Sequence, residues 1–76
     1  MYEAALVQAL KLQKKKFLRA VDRHDGHKQC EALGVIEMHS ERLAGEYGIS
    51  QAQIEEYLRE AEAEYENEKA GQKGRQ

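Results

Sequence analysis

The run "SERLAGEYGISQAQIEEYLR", Ser40–Arg59, puts the end of one helix and the start of the next within three residues of each other. Gly48 follows Tyr47 where a helix closes its last turn with a residue in the left-handed region, a conformation glycine takes without a Cβ penalty. Ser50 then stands as an N-cap. Gln53, three residues on, completes a capping box, and Ile49 and Ile54 occupy the two staple positions around it. A glycine stop, one apolar linker residue and a capped start leave no length for a strand, so helix follows helix here.

Downstream of Ser50, Ile54, Tyr57, Leu58, Ala61 and Tyr65 recur at helical spacing, and Glu55, Glu56, Glu60, Glu62 and Glu64 crowd the remaining faces. From Ala70 the tail "AGQKGRQ" has two glycines and no apolar period. A domain over 1–69 and a disordered tail over 70–76 are expected.

Upstream, a helix starting near His27 carries the stripe Leu33, Ile36, Leu43 and Tyr47. Gly34 and Gly45 each weaken it by about 1 kcal/mol relative to alanine, and Gly34 marks the place for a break. Val35 and Met38 point away from the stripe as a second apolar patch with the character of an interface. Asp22–Gly26 supplies a turn. Before it, Tyr2 to Val21 reads as a first helix with Leu6, Leu10, Phe17 and Val21 on one face and Val7 and Leu18 widening it. Lys11, Lys15 and Arg19 lie roughly opposite and are expected to form a basic outer face. The fold is therefore all-α, a small three-helix domain in which a helical hairpin precedes a helix-turn-helix-like third helix.

At 76 residues, one core is near the lower limit of independent stability, because such a chain buries roughly 60% of its unfolded surface. The apolar arc of the first helix is wider than one neighbour covers, which points to a homodimer. One cysteine, no proline and no long apolar run argue against a disulfide framework, a secretory signal and a membrane span, and make the cytoplasm the expected compartment. The net charge of −2 hides a division: residues 1–28 hold seven Lys/Arg against three acids, +4, and residues 29–76 hold five against eleven, −6.

The Ser40–Arg59 run resembles the helix-turn-helix of bacterial transcriptional regulators, in particular the "LAxEYGVSxxTV" pattern of GntR-type regulators. Leu43 and Ala44 match its apolar and small positions, where the two helices cross closely; Gly48 and Ile49 match its turn, and Ile54 and Tyr57 the apolar positions of its second helix. The resemblance covers about a quarter of the chain, and the rest is too short for that family's effector domain. It implies that Ser50, Gln51, Ala52, Glu55, Glu56 and Arg59 face a major groove. Two adjacent glutamates there depart from the pattern, because they repel the phosphates that supply most affinity.

Chemistry is sparse. His24, His27 and Cys30 offer three ligands of the four zinc takes, and His39 lies roughly 13 Å beyond Cys30 along a helix. Cys30 beside His27 has no orienting third group or oxyanion loop, the carboxylates are solvated, and no glycine-rich phosphate loop occurs. No catalytic, metal or cofactor site is expected.

Two functions fit these residues. In the first, the protein is a non-enzymatic regulator that contacts a protein partner through Glu55, Glu56, Arg59 and Glu60 together with Val35 and Met38, in the manner of phage- or mobile-element-encoded inhibitors of host regulators or nucleic-acid-processing proteins. In the alternative, it is a small dimeric DNA-binding transcriptional regulator that uses Lys11, Lys15, Arg19, Ser50 and Gln51. Nucleic acid is the disfavoured partner because the reading helix is acidic.

Overall fold

A computed structural model describes the backbone of residues 2–74 and the side chains as far as Gly71. Three helices follow one another, α1 (Glu3–Asp22), α2 (Gly26–Tyr47) and α3 (Gln51–Gly74), with no strand among the described residues. The all-α fold is as expected. At 1.5 Å per residue the helices are roughly 30–36 Å long, which sets the long axis of a molecule measuring 44 × 25 × 21 Å.

The helix at the centre is α1. A three-residue connection folds α2 back antiparallel along it, and α3 packs on α1 as well, while α2 and α3 hardly touch each other. The shared core lies towards the start of α1, where Leu6 and Leu10 meet Ile36 and Leu43 of α2 and Ile54 of α3. Val7, Phe17, Tyr47, Ile49, Tyr57 and Leu58 pack around them. Each fully buried Leu or Ile contributes about 1.5–3 kcal/mol.

Both connections are set by local chemistry. At the end of α1 the Asp25 N–H donates to the Ala20 carbonyl at 2.9 Å and the His24 N–H to the Val21 carbonyl at 3.1 Å. This is a Schellman closure, and His24 takes its left-handed position, φ 57°, where glycine is usual. Asp25 then caps α2, its Oδ1 accepting from the Lys28 N–H at 3.1 Å. At the second connection Gly48 is left-handed, φ 65° and ψ 24°, and the Leu43 carbonyl accepts from the N–H groups of both Gly48 and Ile49. Ser50 Oγ accepts from the Gln53 N–H at 3.2 Å. Ile49 is half-buried against the core and Ile54 is buried, so the cap and both staple positions sit where the spacing placed them.

Several expectations need correction. Val21 and Leu33 are exposed, and the buried positions beside them are Ala20 and Ala32. Near a three-residue turn two helices run close, and small side chains permit that approach. Gly34 does not break α2, which is continuous from Gly26 to Tyr47; the neighbouring turns hold it against α1. The helix α3 runs on to Gly74, past the boundary expected at Ala70. Glu66–Lys69 favour helix, and Lys69 is anchored at 3.0 Å to Asp22 of α1, which carries the helix to that point. Residues 75 and 76 of the expected tail lie outside the described residues.

Two substitutions test the turns. Apart from its two chain neighbours nothing lies within 4 Å of a Cβ built on Gly48, so Gly48→Ala should lose stability through its backbone conformation, by about 1–2 kcal/mol in urea denaturation. His24→Gly should be neutral or stabilising by up to about 1 kcal/mol, because it relieves the same conformation in a residue that bears a Cβ. A destabilised His24→Gly would show that the imidazole has a structural role beyond the turn.

Candidate functional site

The largest correction concerns Lys11 and Lys15. They do not form an outer basic face: their side chains are only 13% and 17% exposed, because α3 lies over them. Lys11 Nζ is 2.6 Å from Glu64 and 3.9 Å from Glu60, and Lys15 Nζ is 3.0 Å from Glu64 and 3.2 Å from Glu68. Four residues along α1 match four along α3, so each lysine sits between carboxylates one turn apart. One turn and more beyond, Asp22 accepts from the Tyr65 hydroxyl and lies 3.0 Å from Lys69 Nζ. The partners climb both helices together, which shows that α3 runs parallel to α1. The reason for the difference is geometric: a helix with two neighbours has two inner faces, and the second one here is polar.

These contacts shift the titration of the groups that make them. Hydrogen bonds from Lys11 and Lys15 hold the Glu64 carboxyl below its ordinary value, and the Tyr65 hydroxyl followed by Lys69 does the same for Asp22. Lys15 is raised by its bonds to Glu64 and Glu68. The Asp22 carboxylate raises both Tyr65 and Lys69. Lys69 also stands over the Tyr65 ring, 5.4 Å from its centroid. The ladder is thus a set of charged-form contacts, each dependent on its partner's ionisation.

What remains outward on α3 is acidic. Glu55, Glu56, Arg59 and Glu60 are exposed, as a contact surface requires. Glu56 and Arg59 pair at 2.8 Å, which raises the arginine, and Glu60 lies at the edge of the ladder through its long contact with Lys11. Glu55 and Glu62 have no Lys or Arg within ion-pair distance among the described residues. Val35 is half-buried on the wall of a groove between α1 and α2, and Met38, one turn further along α2, is 60% exposed. Of the residues proposed for DNA, Arg19 is exposed in that groove, Gln51 is exposed at the start of α3, and Ser50 Oγ is engaged as a cap. Ala44, the small position of the helix-turn-helix resemblance, is solvent-exposed.

His24, His27 and Cys30 all face solvent, and among the described residues no three His, Cys, Asp or Glu side chains converge as a metal site would require. His27 Nε2 is 3.0 Å from Glu31. His39 stands apart with a buried Nδ1 that has no hydrogen-bond partner among the described residues. Sequence reasoning missed Asp22, Tyr65 and Lys69 as a unit; the regular spacing of Glu60, Glu64 and Glu68 opposite Lys11 and Lys15 was the signal that could have found the ladder. Among the described residues, no helix is long and apolar enough to cross a membrane.

No known protein family, curated protein or solved structure matches the chain.

The ladder makes the docking of α3 sensitive to both ends of the pH range. Glu64 and Asp22 are depressed in the fold, so their contribution is present above their ordinary values of 4.5 and 3.8 and is lost as pH falls through the lower folded ones. Lys15, Tyr65 and Lys69 are raised, so theirs is complete below about 10 and is lost as pH rises through the folded values. Relative to intrinsic rates, amide protection in α3 should therefore fall below about pH 4 and above about pH 10.5 while α1 and α2 stay protected longer. Glu64→Gln should flatten the acid limb, and Tyr65→Phe the alkaline one.

Proposed function

We propose that this protein is a non-enzymatic regulator that acts by contact with another protein, through the exposed acidic face of α3 around Glu55, Glu56 and Arg59 with Glu60 at its edge. One observation supports this over the DNA reading. Lys11 and Lys15 are consumed by carboxylates of the same chain, so of the three cations that would offset Glu55 and Glu56 near phosphates only Arg19 is left without an ion pair among the described residues. An acidic helix held rigidly on α1 then presents carboxylates to solvent, and such a face selects a basic protein surface and repels nucleic acid. Acting as an inhibitor, of the kind phages and mobile elements encode, is the setting this reading fits. Leu12, Val21, Leu33 and Met38 remain exposed, and a homodimer that covers part of them belongs to the same proposal.

Charge reversal tests it. Glu55→Lys with Glu56→Lys leaves the ladder intact and should keep the helical circular dichroism signal, yet abolish capture of the proteins that the parent retains from a cell lysate. The parent should not shift random duplex DNA at low salt. A parent that shifts DNA with strongly salt-dependent affinity, or a folded double variant that keeps every retained protein, would contradict the proposal. Sedimentation at micromolar concentration should report a dimer.

A further inference from the structure

The ladder divides the cations of the chain into two groups. Among the described residues Lys11, Lys15, Arg42, Arg59 and Lys69 each have a carboxylate within 4 Å. Five others do not. Lys14 stands over the Phe17 ring, 5.2 Å from its centroid, and the remaining four, Lys16, Arg19, Arg23 and Lys28, all line one groove between the second half of α1 and the first turns of α2. In a chain with more acids than bases, four cations without ion pairs in one place outnumber the two carboxylates, Asp25 and Glu31, that line the same groove, and leave it net positive. From the groove we infer an anion-binding site, and we propose that it takes a small organic phosphate.

Three features separate that ligand from a longer polyanion. The groove is half open to solvent and offers about 390 Å³, within the range of roughly 300–1,000 Å³ for small-molecule sites. Its cations come from two helices, Lys16, Arg19 and Arg23 from one face of α1 and Lys28 from the first turn of α2 across the groove. Asp25 and Glu31 stand among the cations in the same groove, so a nucleic-acid strand laid along it would meet repulsion while a compact anion could sit between the positive groups. Arg19 and Arg23 lie one helical turn apart, a spacing from which two guanidinium groups can donate to one phosphate, with Lys16 and Lys28 supplying point charges beside them. The buried Ala20 and Ala32 and the half-buried Val35 give the rest of the ligand an apolar bed. Asp25 and Glu31, which also line the groove, are engaged as the α2 cap and with His27, and can accept from ligand hydroxyl groups. This site is independent of the α3 face, and neither reading needs the other.

Inorganic pyrophosphate is the probe. Titrated against sodium chloride at matched ionic strength, it should raise the melting temperature saturably, by about 5 °C or more at millimolar concentration. It should also move the amide resonances of Arg19, Arg23, Lys28 and Ala32 while leaving those of Glu55 and Glu62 in place. Arg19→Gln with Arg23→Gln removes no ion pair of the fold, so the variant should fold like the parent and bind pyrophosphate at least tenfold more weakly. A shift no larger than matched chloride produces, or binding retained by the folded double variant, would overturn the proposal. So would a duplex oligonucleotide that displaces pyrophosphate and perturbs the same residues at lower concentration, since the site would then belong to a macromolecular polyanion.

Discussion

Lys11 and Lys15 meet Glu60, Glu64 and Glu68 across the α1–α3 seam, and the course of α3 beyond its first turn depends on that meeting. The apolar contacts of α3 are Ile54, Ala61 and Tyr65, which are buried, and Tyr57 and Leu58, which are half-buried against the core. The helix does not lean on α2, which it hardly touches. Ile54 and the Gly48–Ser50 connection pin its first turn; beyond them, the polar contacts hold the helix parallel to α1 for the next several turns. Isolated surface ion pairs are worth little, but a network whose lysines are largely shielded from water and bound between two carboxylates each is less screened and less free to rearrange. The Tyr65 hydroxyl and Lys69 extend the same logic to Asp22, at the far end of α1.

The ladder also changes the meaning of the charge division along the chain. A basic first segment and an acidic last one read as two surfaces for two kinds of partner; folded, they are largely each other's partners. What survives is a remainder on each side. On α3 it is the outward carboxylates around Glu55 and Glu62, and on the α1–α2 hairpin it is Lys16, Arg19, Arg23 and Lys28. Internal pairing therefore separates the residual charge into two compact surfaces of opposite sign, and each selects a different chemistry.

Legibility followed the range of the interaction. The stop at Gly48, the cap at Ser50 and the staple of Ile49 and Ile54 are settled within seven residues, so the sequence shows them plainly. Leu6, Leu10, Ile36, Leu43, Ile54 and Tyr65 are large enough to mark their faces by period alone. Ala20, Ala32 and Ala61 were harder, since an alanine's burial is decided by how closely another helix passes. Ala20 and Ala32 went unmarked, and Ala61 was found because it shares a face with larger residues. His24 gave no sign of its left-handed backbone, which the closure of α1 imposes and glycine would have announced. Lys11 and Lys15 could not be placed from α1 alone, because the helical wheel shows which face is polar but not whether a second helix with matching carboxylates covers it. The candidate surfaces inherit that limit: Glu55 and Glu56 were readable as exposed, whereas the groove of Lys16, Arg19, Arg23 and Lys28 exists only once α2 has folded back.

The most direct test of the ladder is a double-mutant cycle on Lys15→Gln and Glu64→Gln, with unfolding measured in low salt and again in 1 M sodium chloride. Residues in one charge network couple, so the two substitutions should be non-additive by about 0.5–1 kcal/mol in low salt, and the coupling should shrink as salt screens it. Additive effects at both salt concentrations would contradict the account, because they would mean that α3 holds its place on α1 without the ion pairs.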